Sequence, residues 1–246
     1  MTALSAKISS DCNRQHSLGA QALHLWLGRW DPSEGAAFFR RRVLARYIGL
    51  EPDHLRFAEG AHGKPRLINS PLPIEFNVSH SGDWQVCAVT RDTPVGVDIE
   101  HCERERDVQK LSRRFFSQAE HSAMVQLTEE EQLQRFYDLW TLKEARVKAL
   151  GKALPPDLGE PAFTLDGPVD GQIMQIEDGE EDGTPALQYC LLEPVPQYQL
   201  ALCCGSSRLM AHQLTLFQCP DDETCGEVAV AYRGYSPGWI GTDQSR

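Results

Sequence analysis

The sequence predicts an α+β protein with two pseudo-symmetric lobes, each a small sheet backed by helices. Three observations lead to this fold class. A helical pattern followed by several short strands occurs twice along the 246 residues. Alternating apolar and polar residues mark the strands, and Gly and Pro residues mark the turns between them. The character of the chain changes near residue 100, where one series ends and the next begins.

The predicted division of the chain follows from this change. It comprises an N-terminal extension (1–20), an N-terminal lobe (21–100), a C-terminal lobe (101–218) and a tail (219–246). The tail contains Gly, Pro and Asp with little periodicity, so no element is predicted there.

The N-terminal lobe begins with an alternating strand at 22–30 and a helix at 33–48, with Ser33 as expected N-cap and Gly49 as terminator. Short strands and turns follow. Gly82-Asp83 is typical of a tight turn between two strands. Three closely spaced strands are predicted at 75–81, 84–91 and 95–101.

The C-terminal lobe begins with helices. A helical pattern at 107–127 is interrupted near Ser117, which forms a capping-box pattern with Glu120, and a long helix covers 129–150. The remaining segments read as strands, at 162–167, 171–177, 186–195, 198–205 and 212–219.

The composition excludes several classes of protein. The chain has 24 Lys and Arg against 35 Asp and Glu, a net charge of −11, which argues against a general nucleic-acid binder. No stretch approaches the ~18 consecutive apolar residues of a membrane span. The first twenty residues lack the apolar core of a secretory signal. We therefore expect a cytoplasmic protein, and a monomer.

Eight cysteines are spread along the chain without a CxxC pair or a Cys/His spacing typical of zinc sites. Reduced structural thiols are therefore expected, and a disulfide framework is not.

The segment 96–100 (GVDIE) carries the first chemical signal. Side chains two apart on a strand share a face, so Asp98 and Glu100 point the same way while Val97 and Ile99 face the core. Neighbouring carboxylates repel unless a cation lies between them, and oxygen ligands suit Mg²⁺. A functionless acidic edge is the alternative for this pattern taken alone.

The segment 140–148 (WTLKEARVK) carries the second signal. Trp140, Glu144 and Lys148 are spaced i, i+4, i+8 and share one stripe of a helix. Apolar neighbours lie on the same side, so we expect this stripe to be buried, where charges are rarely kept without a partner. An exposed Glu–Lys pair is the alternative.

Two weaker signals precede these. Asn77, Ser79, His80 and Ser81 crowd the end of a strand and could hydrogen-bond a phosphate or a nucleobase edge. Lys64 presents one ammonium group from a Gly-Lys-Pro turn. A lone His is usually structural and a single turn Lys is weak evidence, so neither signal indicates a function by itself.

Taken together and in order, GKP, FNVSHS, GVDIE, FFS..E and WTLKEARVKALG resemble the 4′-phosphopantetheinyl transferases. The closer similarity is to the larger, two-lobed type that activates peptide synthetase, polyketide and fatty-acid carrier proteins. The resemblance covers roughly residues 39–218.

The resemblance implies a holo-[acyl-carrier-protein] synthase that depends on Mg²⁺, with coenzyme A as co-substrate bound in the cleft between the lobes. A serine hydroxyl of an apo carrier protein attacks the β-phosphate, and 3′,5′-ADP leaves. The implied partners are coenzyme A and apo carrier domains, with no nucleic acid and no membrane.

The family's roles are carried over position by position. Asp98, Glu100 and Glu144 become the metal ligands, and Lys148 pairs with the phosphates. Glu144 is the favoured acceptor of the serine proton and His80 its rival, so these two and Lys148 are the expected catalytic residues. The implied coenzyme A contacts are Lys64, Asn77, Ser79, His80 and Lys148.

One segment departs from the family pattern. The basic stretch before the Arg-rich helix is shortened, and Arg29, Arg41 and Arg42 are the candidates to replace it. This departure supports an alternative, a catalytically impaired homologue that binds coenzyme A or carrier protein without transfer. An unrelated Mg²⁺-dependent phosphatase or nucleotidyl transferase is a further alternative.

Docking of an acidic carrier onto this acidic chain requires a local positive patch. Lys110, Arg113 and Arg114 lie three and four residues apart on a predicted helix, beside apolar residues. The alternative is that they offset the neighbouring Glu103, Glu105 and Asp107.

Overall fold

The structure is a computed structural model. It describes residues 7–9, 15–20, 22–60, 62–102, 106–152, 158–166, 174–178, 186–205, 213–219 and 224–236. The helices are Gly35–Ile48 (α1), Val108–Phe115 (α2), Gln118–Met124 (α3) and Glu129–Ala149 (α4), with a short 3₁₀ helix at Pro52–His54. The first seven strands are Lys7–Ser9 (β1), Ala22–Arg29 (β2), Phe57–Glu59 (β3), Pro65–Leu67 (β4), Ile74–Ser81 (β5), Trp84–Arg91 (β6) and Val95–His101 (β7). The others are Phe163–Asp166 (β8), Met174–Asp178 (β9), Leu187–Leu192 (β10), Tyr198–Gly205 (β11), Gln213–Cys219 (β12), Cys225–Val228 (β13) and Tyr232–Tyr235 (β14).

Two mixed sheets form the centre of the described protein. The first sheet has the order β1-β13-β12-β2-β6-β5, and the second has the order β7-β11-β10-β14-β9-β8. Most neighbouring strands are antiparallel, but β12 runs parallel to β2 and β14 runs parallel to β9. The predicted α+β fold class is confirmed.

Apolar side chains join the elements into layers. One face of the first sheet packs on α1, through residues such as Trp26, Val43 and Tyr47. The inner faces of the two sheets share a core in which Leu25 of β2 and Val97 of β7 take part. The outer face of the second sheet packs on α4. The site-bearing strand β7 therefore lies between the shared core and α4.

The boundary between the two sheets does not coincide with the change in sequence pattern near residue 100. Strand β7 precedes that point but belongs to the second sheet, whereas β12 lies far beyond it and belongs to the first. Strands β13 and β14 fall in the predicted tail, and each joins one sheet. Pairing between distant segments decided this arrangement, which local periodicity does not report. The division of the chain into four segments stays a prediction, and residues 237–246 of the predicted tail lie outside the described residues.

Two of the three predicted helix caps are confirmed by the structure. Ser117 and Glu120 form the predicted capping box at the start of α3, and Gly49 ends α1 with a left-handed φ of 70°. The expected N-cap Ser33 is wrong: Glu34 occupies that position, without a side-chain bond. The Ser33 hydroxyl donates instead to Asp31, because both residues lie in the preceding turn.

The expectation of reduced cysteines is wrong for one pair. Cys219 and Cys225 form a disulfide. The antiparallel register of β12 and β13 brings the two residues opposite each other, a proximity that spacing alone did not reveal. Cys87, Cys102, Cys190, Cys203 and Cys204 are not in a disulfide, and Cys12 lies outside the described residues.

None of the helices in the described part of the chain is long and apolar enough to cross a membrane.

Candidate active site

The close packing of α4 on β7 creates the candidate site. Gly96 lies directly beneath α4, and a Cβ at this position would collide with the Ala145 carbonyl and the Ala149 amide. Only glycine lets helix and strand approach this closely. Asp98 lies two residues beyond Gly96, so it occupies the same face of β7, toward α4. The glycine of the GVDIE segment therefore brings the strand carboxylates to the helix.

Asp98 is the most buried polar residue of the site, with 4% of its surface exposed. Its Oδ1 accepts hydrogen bonds from Lys148 Nζ at 2.6 Å and from Ser79 Oγ at 2.8 Å. Lys148 Nζ also donates to Ser79 Oγ at 3.1 Å, which closes a triangle of three groups. Asp98 Oδ2 is buried without a hydrogen-bond partner among the described residues. A buried carboxylate oxygen of this kind calls for a further donor or a cation.

Strand β5 supplies a row of polar side chains that faces β7. These two strands are edges of different sheets and are joined by side chains rather than by a backbone ladder. Asn77 Oδ1 accepts from the Val97 amide at 2.9 Å, and Ser81 Oγ donates to Glu100 Oε2 at 2.8 Å. The predicted phosphate-binding residue Ser79 lies between them, bound to Asp98. The row holds the carboxylates, a role that the sequence did not indicate.

Trp140, Glu144 and Lys148 share one stripe of α4 as predicted, but the stripe is buried only in part. Trp140, Glu144 and Lys148 are each partly exposed, whereas every other residue from 139 to 149 is buried. Helix α4 packs against other elements on nearly all sides, so the stripe is its only opening in this stretch. Charged groups at such an opening can reach a ligand without full desolvation.

Glu144 is electrostatically coupled to both strand carboxylates. Burial raises the pKa of Glu144 from its ordinary value of 4.5 to about 7, the negative charge of Asp98 adds to this effect, and Glu100 does so more weakly. Lys148 acts in the opposite direction. A carboxyl group with a pKa near 7 can accept a proton from a reacting hydroxyl near neutral pH.

A magnesium ion fits this site by donor chemistry. Within the described parts of the chain, no three His, Cys, Asp or Glu side chains are already arranged to hold a metal ion. However, Asp98 keeps an unpartnered buried oxygen, and Asp98, Glu100 and Glu144 form a mutually repelling, all-oxygen set. Such a set suits a hard divalent cation.

Lys64 and His80 lie at the edge of this arrangement. Lys64 Nζ donates to the carbonyls of Val95 at 3.0 Å and Lys148 at 2.9 Å, so it joins β7 to the end of α4. The His80 ring stacks on Trp30 at 3.8 Å, and burial, followed by the charge of Lys148, lowers its pKa. The phosphate contacts implied for both residues, and the rival base role of His80, stay predictions.

The three arginines considered as replacements for the shortened basic stretch have other contacts. Arg41 donates to the carbonyls of Pro52 and Leu55, and Arg42 lies over the Phe38 ring. Arg29 lies over the Trp84 ring, 4.3 Å from its centre. These contacts give no support to a phosphate role for any of the three.

Helix α2 presents the predicted basic patch to solvent. Lys110, Arg113 and Arg114 are all exposed, and Leu111 and Phe115 beside them are partly buried. Asp107 caps the helix, with its side chain accepting from the Lys110 amide. Glu103 and Glu105 lie outside the described residues, and local charge balance stays the alternative prediction.

Sequence reasoning assigned no contact with Glu100 to Ser81, and it missed Tyr198. Ser81 contacts Glu100, and Tyr198 of β11 accepts a hydrogen bond from the Asp83 amide at 3.0 Å. The sequence placed Ser81 in the polar cluster at the end of β5, on one face with Asn77 and Ser79, but did not indicate its bond to Glu100. Nothing local could have found Tyr198, which lies 115 residues from its partner.

Comparisons with known proteins point to one family. Residues 94–203 match the 4′-phosphopantetheinyl transferase superfamily. The chain is 32% identical over 168 residues to 4′-phosphopantetheinyl transferase Sfp of Bacillus subtilis, covering 66% of this chain and 69% of that protein. It is 30% identical over 199 residues to 4′-phosphopantetheinyl transferase HetI of a Nostoc species, covering 80% and 69%. It is also 30% identical over 158 residues to the mouse L-aminoadipate-semialdehyde dehydrogenase-phosphopantetheinyl transferase, covering 58% and 51%.

Proposed function

Because this chain belongs to the 4′-phosphopantetheinyl transferase superfamily, we propose that it transfers 4′-phosphopantetheine from coenzyme A to a serine of an apo carrier protein. The observation that carries this proposal is the environment of Asp98. Its carboxylate is bound by Lys148 and Ser79 on one oxygen and lacks a partner on the other, beside the opening of α4. This arrangement suits a pyrophosphate that arrives with a divalent cation.

The reaction is a phosphoryl transfer in which a phosphate ester forms and a pyrophosphate bond breaks. The carrier serine oxygen bonds to the β-phosphorus of coenzyme A, and 3′,5′-ADP leaves with the bridging electron pair. We propose that the serine proton passes to Glu144, directly or through water; in the metal-free chain, burial and the neighbouring carboxylates raise the pKa of this side chain to about 7.

Lys148 neutralises charge on the pyrophosphate. Its ammonium lies at the partly exposed stripe of α4 and is fixed by Asp98 and Ser79. A donor held in place before the reaction stabilises developing charge without further reorganisation. We propose that Lys148 contributes to leaving-group stabilisation in this way.

The residues proposed to hold Mg²⁺ are Asp98, Glu100 and Glu144. When bound, Mg²⁺ acts as a Lewis acid on the phosphate oxygens. Lys64 supports this region by joining β7 to the end of α4, and Asn77 keeps β5 and β7 together.

The proposed protein partner is an apo carrier domain that docks beside the site. The exposed basic face of α2 offers charge complementary to an acidic carrier surface. Partly buried Leu111 and Phe115 lie next to this face and add apolar contact area. The proposed organisation of the chain is an extension (1–20), two lobes (21–100 and 101–218) and a tail (219–246).

The test is an intact-mass measurement of a panel of apo carrier domains incubated with the chain, coenzyme A and Mg²⁺. Transfer makes a carrier heavier by one phosphopantetheine, and the carrier with its serine replaced by alanine stays unmodified. Binding of coenzyme A with no mass change on any carrier would favour the impaired homologue. Release of inorganic phosphate would favour a phosphatase instead.

A further inference from the structure

Ser81 lies at the end of the polar row of β5, at the position nearest Glu100. Only 5% of its surface is exposed. Its hydroxyl donates to Glu100 Oε2 at 2.8 Å and accepts from the His101 backbone amide at 3.1 Å. Both contacts are to β7, whereas Ser81 belongs to the other sheet.

The two hydrogen bonds fix the direction of the Ser81 hydroxyl proton. A backbone amide can only donate, so the bond from His101 uses a lone pair of the Ser81 oxygen. The single hydroxyl proton is then directed at Glu100 Oε2. This orientation holds one oxygen of Glu100 in place and favours a single position for its carboxylate.

The turn that follows Ser81 is fixed from the second sheet. Gly82 has a left-handed φ of 54°, and a Cβ there would collide with the Tyr198 hydroxyl. Tyr198 Oη accepts from the Asp83 amide, and the Tyr198 ring stacks on His101 with ring centres 4.6 Å apart. The residues on both sides of the Ser81–Glu100 contact are therefore held by the same tyrosine.

Glu100 also has a cationic neighbour, Arg106, which does not replace Ser81. Arg106 Nη2 lies 4.0 Å from Glu100 Oε2, at the outer limit of an ion pair, and the Glu100 side chain is 16% exposed. The Ser81 hydroxyl is closer by more than an ångström and comes from a buried, fixed residue. The shorter bond has the stronger influence on where the carboxylate lies.

We infer that Ser81 is a positioning residue that orients Glu100 toward the divalent cation and the pyrophosphate. This inference rests on the proposed function, because it takes Glu100 as a metal ligand. Hydrogen-bond partners of ligating carboxylates fix the orientation of those ligands in metal sites. In this proposal Ser81 acts through Glu100 and not on the reacting groups.

The experiment measures Mn²⁺ binding to the full chain by electron paramagnetic resonance, with coenzyme A present. Mn²⁺ serves as the probe because it shares with Mg²⁺ a preference for oxygen ligands. We expect Ser81→Ala to weaken Mn²⁺ binding by about tenfold to a hundredfold. The Mg²⁺ concentration for half-maximal transfer should rise by a similar factor, while Ser81→Thr, which keeps the hydroxyl, stays close to wild type.

A matched control separates positioning from general destabilisation. Ser112→Ala removes a hydroxyl that is fully buried on α2 and bonded to His121, and it should leave Mn²⁺ affinity unchanged. A double-mutant cycle sharpens the test: in a Glu100→Gln background, Ser81→Ala should cause no further loss.

Three results would overturn the inference: unchanged Mn²⁺ affinity in Ser81→Ala, an equal loss with and without Glu100, or no Mn²⁺ binding by the wild-type chain. The transfer assay on carriers decides the proposed function separately. A wild-type chain that binds Mn²⁺ but modifies no carrier would count against the function, and the comparison of Ser81 variants would still hold.

Discussion

Helix α4 carries two lysines, five residues apart, that form ion pairs with very different surroundings. Lys143 Nζ lies 2.8 Å from Glu120 Oε1, and both side chains are almost completely buried, at 3% and 1% exposure. Lys143 also donates to the Pro161 carbonyl, and Glu120 accepts from the amides of Phe163 and Ser117. Every oxygen of this carboxylate has a partner.

The Lys148–Asp98 pair has a shorter contact but an incomplete environment. The ammonium lies 2.6 Å from Asp98 Oδ1, and the two side chains are 27% and 6% exposed. Asp98 Oδ2 has no partner among the described residues. The lysine lies at the opening of α4, where a ligand can approach.

Hydrogen-bond satisfaction and exposure distinguish a structural ion pair from a functional one on this helix. A buried pair stabilises a fold only if hydrogen bonds satisfy its remaining atoms, and the Lys143 pair meets this condition. The Lys148 pair keeps one oxygen unsatisfied and one side chain accessible, a combination that leaves room for a ligand. Both pairs join a lysine of α4 to a carboxylate from another element, so residue type alone does not distinguish them.

The largest expected effect is the loss of transfer in Asp98→Asn. Removing the charge that holds Lys148 and the proposed cation should lower the transfer rate about a thousandfold, equivalent to about 4 kcal/mol. Steady-state transfer measured by carrier mass checks this. The control is Asp138→Asn, a fully buried α4 aspartate that also has an unpartnered oxygen but pairs with Arg233 away from the opening. Equal activity loss in both variants would contradict the comparison.

Breaking the other pair should affect stability instead of activity. Lys143→Met leaves the Glu120 carboxylate buried without its counter-ion and should lower the free energy of unfolding by about 3 kcal/mol. Urea denaturation measures this loss, and the transfer rate per folded molecule should stay near wild type. The control Lys110→Met removes an exposed lysine and should change stability by less than about 0.5 kcal/mol. An unchanged unfolding free energy in Lys143→Met would show that the pair is not structural.

The basic residues of α2 differ from both ion pairs, because they are exposed to solvent. Reversal of Arg113 and Arg114 to Glu on α2 should raise the KM for the carrier about tenfold and leave the KM for coenzyme A nearly unchanged. Added salt should shrink the effect, because the contact is exposed to solvent. Carrier kinetics like those of wild type, with the fold intact, would place the docking surface elsewhere.

The smallest effect concerns the pH dependence of stability near the Lys148 pair. The pKa of Glu144 is raised from 4.5 to about 7 by burial and by Asp98, so the folded chain keeps a proton that the unfolded chain releases between these values. Without metal, stability should therefore fall as pH rises through this window, by about 1 kcal/mol after solvent screening. Urea denaturation in EDTA at several pH values, compared with Glu144→Gln, measures this contribution. The same pH dependence in both proteins would contradict it.

Much of the candidate site could be predicted because its patterns are local. The period of two placed Asp98 and Glu100 on one face of β7, with Val97 and Ile99 buried on the other. The spacing of four placed Glu144 and Lys148 on one stripe of α4. Sterics and hydrogen bonds within a few residues fix these relations.

The partners of those residues could not be predicted from the same patterns. Helical spacing offered a Glu144–Lys148 pair as an alternative, but the hydrogen-bonded partners of Lys148 are Asp98 and Ser79. The stripe is buried only in part, because the side of α4 that stays open depends on what packs around the helix. Arg233, in a segment for which no element was predicted, reaches Asp138 and Gln199.

The sequence by itself determined the four helices and the strands from β2 to β12, the capping of α3 and which charges share a face, but not the strands β1, β13 and β14. Each of these depends on interactions between residues close along the chain. Only the tertiary structure decided that β12 lies beside β2, that Gly96 admits α4 onto β7, and that β5 holds the carboxylates of β7. Burial of large apolar faces selects among possible strand pairings, and that selection acts across the whole chain rather than within a window of a few residues.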